Sequence, residues 1–219
     1  MTTYEKTGTG VAGSVATSSD LYTTAGAIKT TLELVGTSFA DLDIAKALAA
    51  ACRGIDNACE RRFWLDGDNT SVRYYTPVGA ASLAIDDAVD VQGVAVDIAG
   101  DGTFEQTWVT NIDYTLEPLN AAADGWPWTR LRVHPRTTRY LPAGIPRSVK
   151  VTGRFGWATV PDQIVEATTI LAARLLQRVR SAPFGVVSVG IDAGAAMRIA
   201  RMDPDVVFLI GPYSKHGIQ

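Results

Sequence analysis

The sequence predicts an α+β protein with N-terminal helices, a β-rich middle and C-terminal helices. Two helical patterns occupy residues 21–64, a β-rich insertion covers 70–156, and a further helical pattern follows at 161–181. Strand-like and helix-like segments do not alternate, so the sequence does not predict a doubly wound parallel sheet. We expect the middle to form a small antiparallel sheet or a barrel-like sheet.

The composition is that of a globular protein. The chain has 219 residues, of which 47% are hydrophobic and 20% are charged, so it can bury a sizeable core. Its net charge of -3 gives no overall attraction to nucleic acid or to an anionic membrane. No apolar run approaches the ~20 residues that span a bilayer, and two cysteines do not make a disulfide framework. We therefore expect no membrane partner and a reducing compartment.

The predicted domain organisation is a flexible N-terminal arm at 1–20 and a single domain at 21–219. The arm is rich in Thr, Gly, Ser and Ala and has few large apolar residues, so burial cannot offset its ordering entropy. At the other end of the chain, 182–219 begins with a glycine-rich stretch, 185–194, and continues into a short apolar element at 203–210.

Two helices are predicted before the β-rich region. The first covers about Thr24 to Val35, and the second starts at Ser38 as its N-cap. We interpret the two cysteines of the second helix as packing residues, because no further metal ligands are spaced nearby. Steps of three and four place six apolar residues on one face of this helix, namely Ile44, Leu48, Cys52, Ile55, Cys59 and Phe63.

The β-rich region divides into short runs that are separated by turn residues, with a hairpin loop at 100–102. The predicted strands are Val72–Thr76, Ser82–Ile85, Val89–Ile98, Gln106–Val109, Tyr114–Leu116, Arg130–Val133 and Ser148–Arg154.

A search of the sequence for catalytic motifs finds none with the right context. Gly8–Gly13 matches G-x-G-x-x-G but lacks the strand and helix that hold a pyrophosphate. Asp97–Gly102 lacks half of the ligands of an EF-hand loop, and Gly185–Gly190 is one residue too long for a nucleophile elbow. Only His134 and His216 offer imidazole bases. We expect a structural or binding role, with no enzyme activity, cofactor or metal.

Trp126 and Trp128 flank a proline in a predicted loop and form a candidate contact surface, such as a subunit interface. The same rings could stack on a sugar, which would make the protein a carbohydrate- or small-ligand-binding module. The alternative is that both rings fold back over the sheet, since tryptophan is usually well buried.

Four pieces of the sequence form a pattern that runs from about Tyr22 to Tyr213. They are a helix end that fits I-D-x-x-x-x-R-x-F at Ile55–Phe63, the loop pieces Asp113–Pro118 and Gly125–Pro127, the stretch Val149–Trp157 with Val160 and Pro161, and Asp203–Val207. In order and spacing, these pieces resemble the head-to-tail connector proteins (adaptor or head completion proteins) of long-tailed bacteriophages.

The resemblance implies a ring, commonly dodecameric, that docks under the portal protein in the neck of the virion, after assembly in the host cytoplasm. Genomic DNA would pass through its lumen without sequence-specific binding. A tail-side neck protein, a stopper or a tail terminator, would bind the other face. Members of the family are not enzymes. The acidic net charge fits this role, because each phosphate contact would add affinity and impede DNA passage.

The resemblance also gives the stretch 151–167 a role as a joint between sheet and helix. Gly153 and Gly156 would let the chain bend out of the sheet, and Trp157 would wedge the corner. Pro161 would start the helix in a fixed direction, since its missing N–H is no loss in the first turn.

Two further surfaces are predicted to make contacts in the ring. Arg174 and Arg178 lie four residues apart on one helical face and are predicted to pair with carboxylates of a neighbouring subunit; a solvated helix face is the alternative. The segment 182–219 is the predicted portal-docking element, with the apolar anchors Val206, Val207, Phe208, Ile210 and Tyr213.

Overall fold

The computed structural model describes residues 20–34, 36, 38–67, 69–181 and 203–215. Apart from Asp20, the predicted arm 1–20 lies outside the described residues, and so do the glycine-rich stretch 185–194 and His216.

The described residues form helices at both ends of a six-stranded antiparallel sheet, which confirms the predicted α+β class. The helices are α1 (Ala25–Leu34), α2 (Asp41–Cys59), α3 (Asp162–Ser181) and α4 (Pro204–Ile210), the last continued by a 3-10 turn, Gly211–Tyr213. The strands are β1 (Ser71–Tyr75), β2 (Ser82–Val96), β3 (Gln106–Trp108), β4 (Tyr114–Glu117), β5 (Trp128–Val133) and β6 (Val149–Phe155). Their order across the sheet is β1-β6-β2-β5-β4, and β3 pairs with the end of β2.

Strand β2 differs from the prediction, because one irregular strand replaces two separate ones. Its first part pairs with β5 and its second part with β6, and the register shifts between Ala84 and Ala88 and again between Val91 and Gly93. Such irregularities bend a strand and increase its twist. The acidic pair Asp86 and Asp87, which has the composition of a turn, therefore lies within a strand.

Helix α2 buries the face that its sequence predicts. All six predicted positions, including both free cysteines, are inaccessible to solvent. The helix ends at Cys59, so Phe63 is buried from the segment that follows α2 and not from the helix itself. Burial raises the pKa of the Cys59 thiol to about 12. The predicted N-cap is wrong, because α2 begins at Asp41 after the extended residue Ala40, with no side-chain cap. Asp41 and Asp43 instead place two carboxylates at the positive end of the helix dipole.

Two hydrophobic cores lie in different layers of the molecule. The helical core includes Ile28, Leu48, Ile55, Ile164, Leu176 and Val206. The sheet core includes Leu83, Val94, Trp108, Leu131, Val151 and Phe155. The chain passes from one layer to the other where β6 ends at Phe155 and Trp157 enters the helical core. Among the described residues, no helix combines the length and apolar character needed to cross a membrane.

Candidate functional site

An aromatic cluster joins the two layers, and we call it the aromatic joint. It consists of Phe63, Trp126, Trp157 and Tyr213. The Trp157 ring centroid lies 5.3 Å from that of Phe63, 5.1 Å from Trp126 and 5.8 Å from Tyr213. Trp126 stacks on Tyr213 at 5.2 Å, with 8° between the ring planes. Aromatic pairs at such distances are worth ~0.5–1.5 kcal/mol each beyond the area they bury.

The four rings of the aromatic joint correspond to the four pieces that carry the connector resemblance. Three rings lie within a piece, and the fourth ring follows the helix that its piece begins. Phe63 ends the first piece, Trp126 lies in the second and Trp157 in the third. Tyr213 ends the 3-10 turn that follows α4, and the fourth piece begins that helix. Pieces that are far apart in the sequence therefore meet at one place in the fold.

The two glycines of the joint are required by close approach of the backbone. A Cβ at Gly156 would lie 2.0 Å from the carbonyl oxygen of Trp64, and its φ of +114° lies in the region that favours glycine. A Cβ at Gly153 would lie 2.2 Å from the carbonyl oxygen of Asp90. Gly153 does not bend the chain out of the sheet, because it lies inside β6 and faces the irregular part of β2.

Pro161 lies directly before α3, one residue earlier than the first-turn position predicted for it. Its carbonyl oxygen accepts hydrogen bonds from the N–H groups of Ile164 and Val165 at 2.9 and 3.1 Å. The bond to Val165 is the first regular turn of the helix, and the bond to Ile164 satisfies one of the N–H donors that a helix start leaves unpaired.

A buried carboxylate supports the other side of Trp157. The indole Nε1 of Trp157 donates to Asp87 Oδ2 at 3.1 Å. Arg61 Nε lies 3.7 Å from the same oxygen, and Lys215 Nζ lies 4.0 Å from Oδ1. The side chains of Arg61 and Asp87 are only 9% and 6% exposed. Sequence reasoning interpreted Asp87 as a turn residue, noted Arg61 only as part of the first connector-like piece and gave Lys215 no role. Nothing local shows that a strand, a helix end and the C-terminal turn meet.

Tyr213 is held by stacking on Trp126, by edge contacts with Phe63 and Trp157, and by a hydrogen bond from its hydroxyl. Its hydroxyl group donates to Gln163 Oε1 at 2.8 Å. Burial, together with the charge of Asp162, raises the pKa of this phenol, so it remains a neutral hydrogen-bond donor at physiological pH.

The predicted tryptophan surface divides into two different environments. Trp126 is 38% exposed, and Tyr213 and Trp157 cover part of its ring. Trp128 is half-buried in β5, opposite Ala88. The Trp126 ring therefore folds back onto the helical layer instead of over the sheet.

The predicted portal anchors also divide into buried and exposed residues. Val206, Ile210 and Tyr213 are buried inside the chain's own helical core, so they hold α4 in place. Val207 is half-buried, whereas Phe208 is 82% exposed. The alternation follows from the helical period, which turns Phe208 away from the face that packs on the core.

The two predicted interface arginines have different surroundings. Arg174 forms an ion pair with Asp203 of the same chain, whose carboxylate also accepts a hydrogen bond from the N–H of Asp205 at the start of α4. Arg174 thus ties α3 to α4, and Arg178 is exposed one turn further along α3.

The loop after β2 is a turn held by Asp97, as its sequence indicates. The carboxylate of Asp97 accepts hydrogen bonds from the N–H groups of Gly100 and Gly102 at 2.6 and 2.8 Å. Asp101 and Glu105 lie close to it. Asp97 is buried and already accepts these two backbone hydrogen bonds, and the two exposed carboxylates beside it do not by themselves make a metal site.

No protein-family model and no curated protein sequence matches this chain. Three solved structures have a similar course of the chain. A chain from the neck of an empty gene transfer agent (GTA) particle, computed with C6 symmetry, is 18% identical with a TM-score of 0.49, covering 87% of this chain and 88% of its own length. A chain from the neck of the native GTA particle, computed with C12 symmetry, is 16% identical with a TM-score of 0.43, covering 87% and 90%. A chain from the virion of the native GTA particle is 18% identical with a TM-score of 0.42, covering 81% and 79%. Likenesses of this size do not by themselves assign a function.

We expect Gly156→Ala to lower the free energy of unfolding by about 3 kcal/mol or more, because it combines a positive φ with a backbone clash. Gly93→Ala is the matched control, since a Cβ there meets nothing within 4 Å, and its stability should equal or slightly exceed that of the wild type. Urea unfolding measures both variants. Equal stability of the two variants would contradict the close approach at Gly156.

We expect Asp87→Ala to lower the free energy of unfolding by about 3–5 kcal/mol, because it leaves the Arg61 charge buried without its counter-ion. Asp90→Ala, on the same strand, removes a carboxylate 4.0 Å from Arg154 that is far more exposed, so its effect should stay below about 1 kcal/mol. Chemical unfolding followed by tryptophan fluorescence distinguishes them. A loss of similar size in both variants would refute the special role of Asp87.

Proposed function

We propose that this chain is a structural subunit of the neck of a tailed, phage-like particle. In this proposal it forms a ring adaptor of about twelve copies between the portal protein and the tail. Genomic DNA passes through the lumen without sequence-specific binding, and the chain catalyses no reaction. The observation that carries the proposal is the meeting of the four connector-like pieces at the aromatic joint.

The aromatic joint supports a ring because ring closure requires a defined angle between unlike faces of each subunit. In a heterologous contact, a small change of that angle yields an open helix instead of a closed ring. Three kinds of contact connect the sheet to the helices at this joint: the packing of aromatic side chains, the close backbone approach at Gly156, and the hydrogen bond from Trp157 to Asp87. Their combination restricts the relative movement of the two layers, and closure of a ring needs that restriction.

The portal-facing surface in this proposal is the exposed side of α4, within the segment 182–219. Phe208 is the contact residue, with half-buried Val207 beside it. Val206, Ile210 and Tyr213 contribute from inside, because they fix the helix that presents Phe208. Exposed aromatic side chains on a rigid element are typical anchors of protein interfaces.

The tail-facing surface in this proposal lies on the loops of the sheet. Loops around the sheet expose the large apolar residues Val78, Ile112 and Leu119, which could contact a stopper or a tail terminator. Arg178 remains a candidate for pairing with a neighbouring subunit, whereas Arg174 already has Asp203 as a partner. The proposed location is the neck of the virion, after assembly in the host cytoplasm.

A carbohydrate- or small-ligand-binding role has less support from the tryptophans. A sugar stacks on the open face of an aromatic ring, but Tyr213 covers one face of Trp126 and Trp128 is half-buried. The two rings therefore do not form one open platform.

We expect an antibody against this chain to label the neck of purified particles, between head and tail, in negative-stain images. Particles assembled without the chain should be filled heads that lack tails, because the adaptor would be missing. An antibody against the tail tube serves as the positional control. Label elsewhere on the particle, or normal tailed particles without the chain, would refute the proposed role.

We expect Phe208→Asp to abolish binding of the full chain to portal rings in co-sedimentation, because it places a charge in an apolar contact. The fold should be unaffected, since Phe208 is exposed. Leu119→Asp is the matched control, because Leu119 is 74% exposed on the sheet side, and it should bind portal rings as the wild type does. Portal binding by Phe208→Asp at wild-type strength would show that α4 is not the docking element.

A further inference from the structure

A charged cavity of about 340 Å³ adjoins the aromatic joint. It lies between the end of α2, the strands β1 and β2, and the C-terminal turn. Gly156 contributes backbone to its wall, and eight charged residues line it: Glu60, Arg61, Arg62, Asp66, Arg73, Asp86, Asp87 and Lys215. The volume falls within the range of small-ligand sites.

Two of the carboxylates that line the cavity are already engaged. Arg73 forms an ion pair with Asp66 and, through Nη1, with Asp86 at 2.6 Å. The Tyr75 hydroxyl also donates to Asp86 Oδ2 at 3.0 Å. Glu60 and Arg62 are exposed at the rim, with opposite charges. Of the eight charged residues that line the cavity, Arg61, Asp87 and Lys215 therefore form its inner wall.

On the inner wall, hydrogen-bond donors outnumber acceptors. Among the described residues, Arg61 Nε and Nη1 and Asp87 Oδ1 are buried without a hydrogen-bond partner. The distances from Asp87 to Arg61 Nε and to Lys215 Nζ, 3.7 and 4.0 Å, exceed hydrogen-bond length. Asp87 Oδ2 is used by the Trp157 indole. Two cations thus share one carboxylate, and a buried unpaired donor is costly.

We propose that this cavity binds an oxyanion, a carboxylate or a phosphate group, between Arg61 and Lys215. The oxyanion supplies the acceptors that the Arg61 guanidinium lacks, and the guanidinium turns toward the cavity to meet them. Arginine suits this task because its planar fork matches the oxygens of both groups. Arg73 holds Asp66 and Asp86, and Glu60 is exposed at the rim. Of the Asp87 oxygens, Oδ2 accepts from the Trp157 indole and Oδ1 lies beside the Lys215 ammonium, so the positive charge of Arg61 remains available to an oxyanion. The site stands independently of the proposed place in a virion.

The test is a titration of the full chain with sodium phosphate. The sodium chloride concentration is lowered at each step so that the ionic strength stays constant. Isothermal titration and the thermal unfolding midpoint are recorded together. We expect saturable binding and an unfolding midpoint that rises with phosphate concentration. Arg61→Gln should weaken binding about tenfold or more, because a charge-assisted hydrogen bond is lost. Arg136→Gln, an exposed arginine outside the cavity, is the control and should bind as the wild type does.

Lys215→Gln keeps the test valid if Arg61→Gln does not fold, because Lys215 lies nearer the surface and its removal should also weaken phosphate binding. Sodium acetate is the second probe: competition with phosphate would show that the site accepts carboxylates as well as phosphate groups, and phosphate binding without competition would restrict it to phosphate groups. A wild-type chain that responds to phosphate no more than to chloride, or a Lys215→Gln chain that binds as the wild type does, would overturn the proposal.

Discussion

The contacts of Trp157 are the constraint on which the rest of the structure depends. Its ring meets Phe63 from the end of α2, Trp126 from the connection into β5, and Tyr213 from the C-terminal turn. Its indole N–H reaches Asp87 in β2. One side chain therefore touches four segments that are far apart in the sequence. Because a tryptophan ring is large and rigid, these contacts fix the direction in which α3 leaves the sheet.

The joint combines an apolar side with a polar side, and both have consequences. Aromatic rings pack well in both stacked and edge-to-face geometries, so the rings by themselves could pack in more than one arrangement. The hydrogen bond to a buried carboxylate selects one of them, since Asp87 would otherwise lose its partner. The same carboxylate holds Arg61 and Lys215 near a cavity. The position of Asp87 in the irregular strand β2 thus has two results. It fixes Trp157 in the joint, and it gathers the charged side chains that line the cavity.

Helix α4 shows how a short terminal element can be both fixed and available. Seven residues do not form a stable isolated helix. Here Val206 and Ile210 are buried against the helical core, and Asp203 caps the start while it pairs with Arg174. With the helix fixed in this way, Phe208 remains exposed on the opposite side. A mobile segment would lose conformational entropy on docking, and a fixed helix has already lost it.

The sequence by itself determined the fold class, the buried face of α2 and the positions of most strands, because these follow from local periods of apolar residues. It also indicated the stretch around Gly156, Trp157 and Pro161 as a transition from strand to helix. It did not show that Asp87 lies within a strand or that Arg174 pairs with Asp203. It also did not show that a backbone carbonyl group comes so close to Gly153 that no side chain fits there. Those features depend on which segments meet in space. The local sequence around a residue does not specify its contacts with distant segments. Those contacts were decided only by the packing of the sheet against the helices.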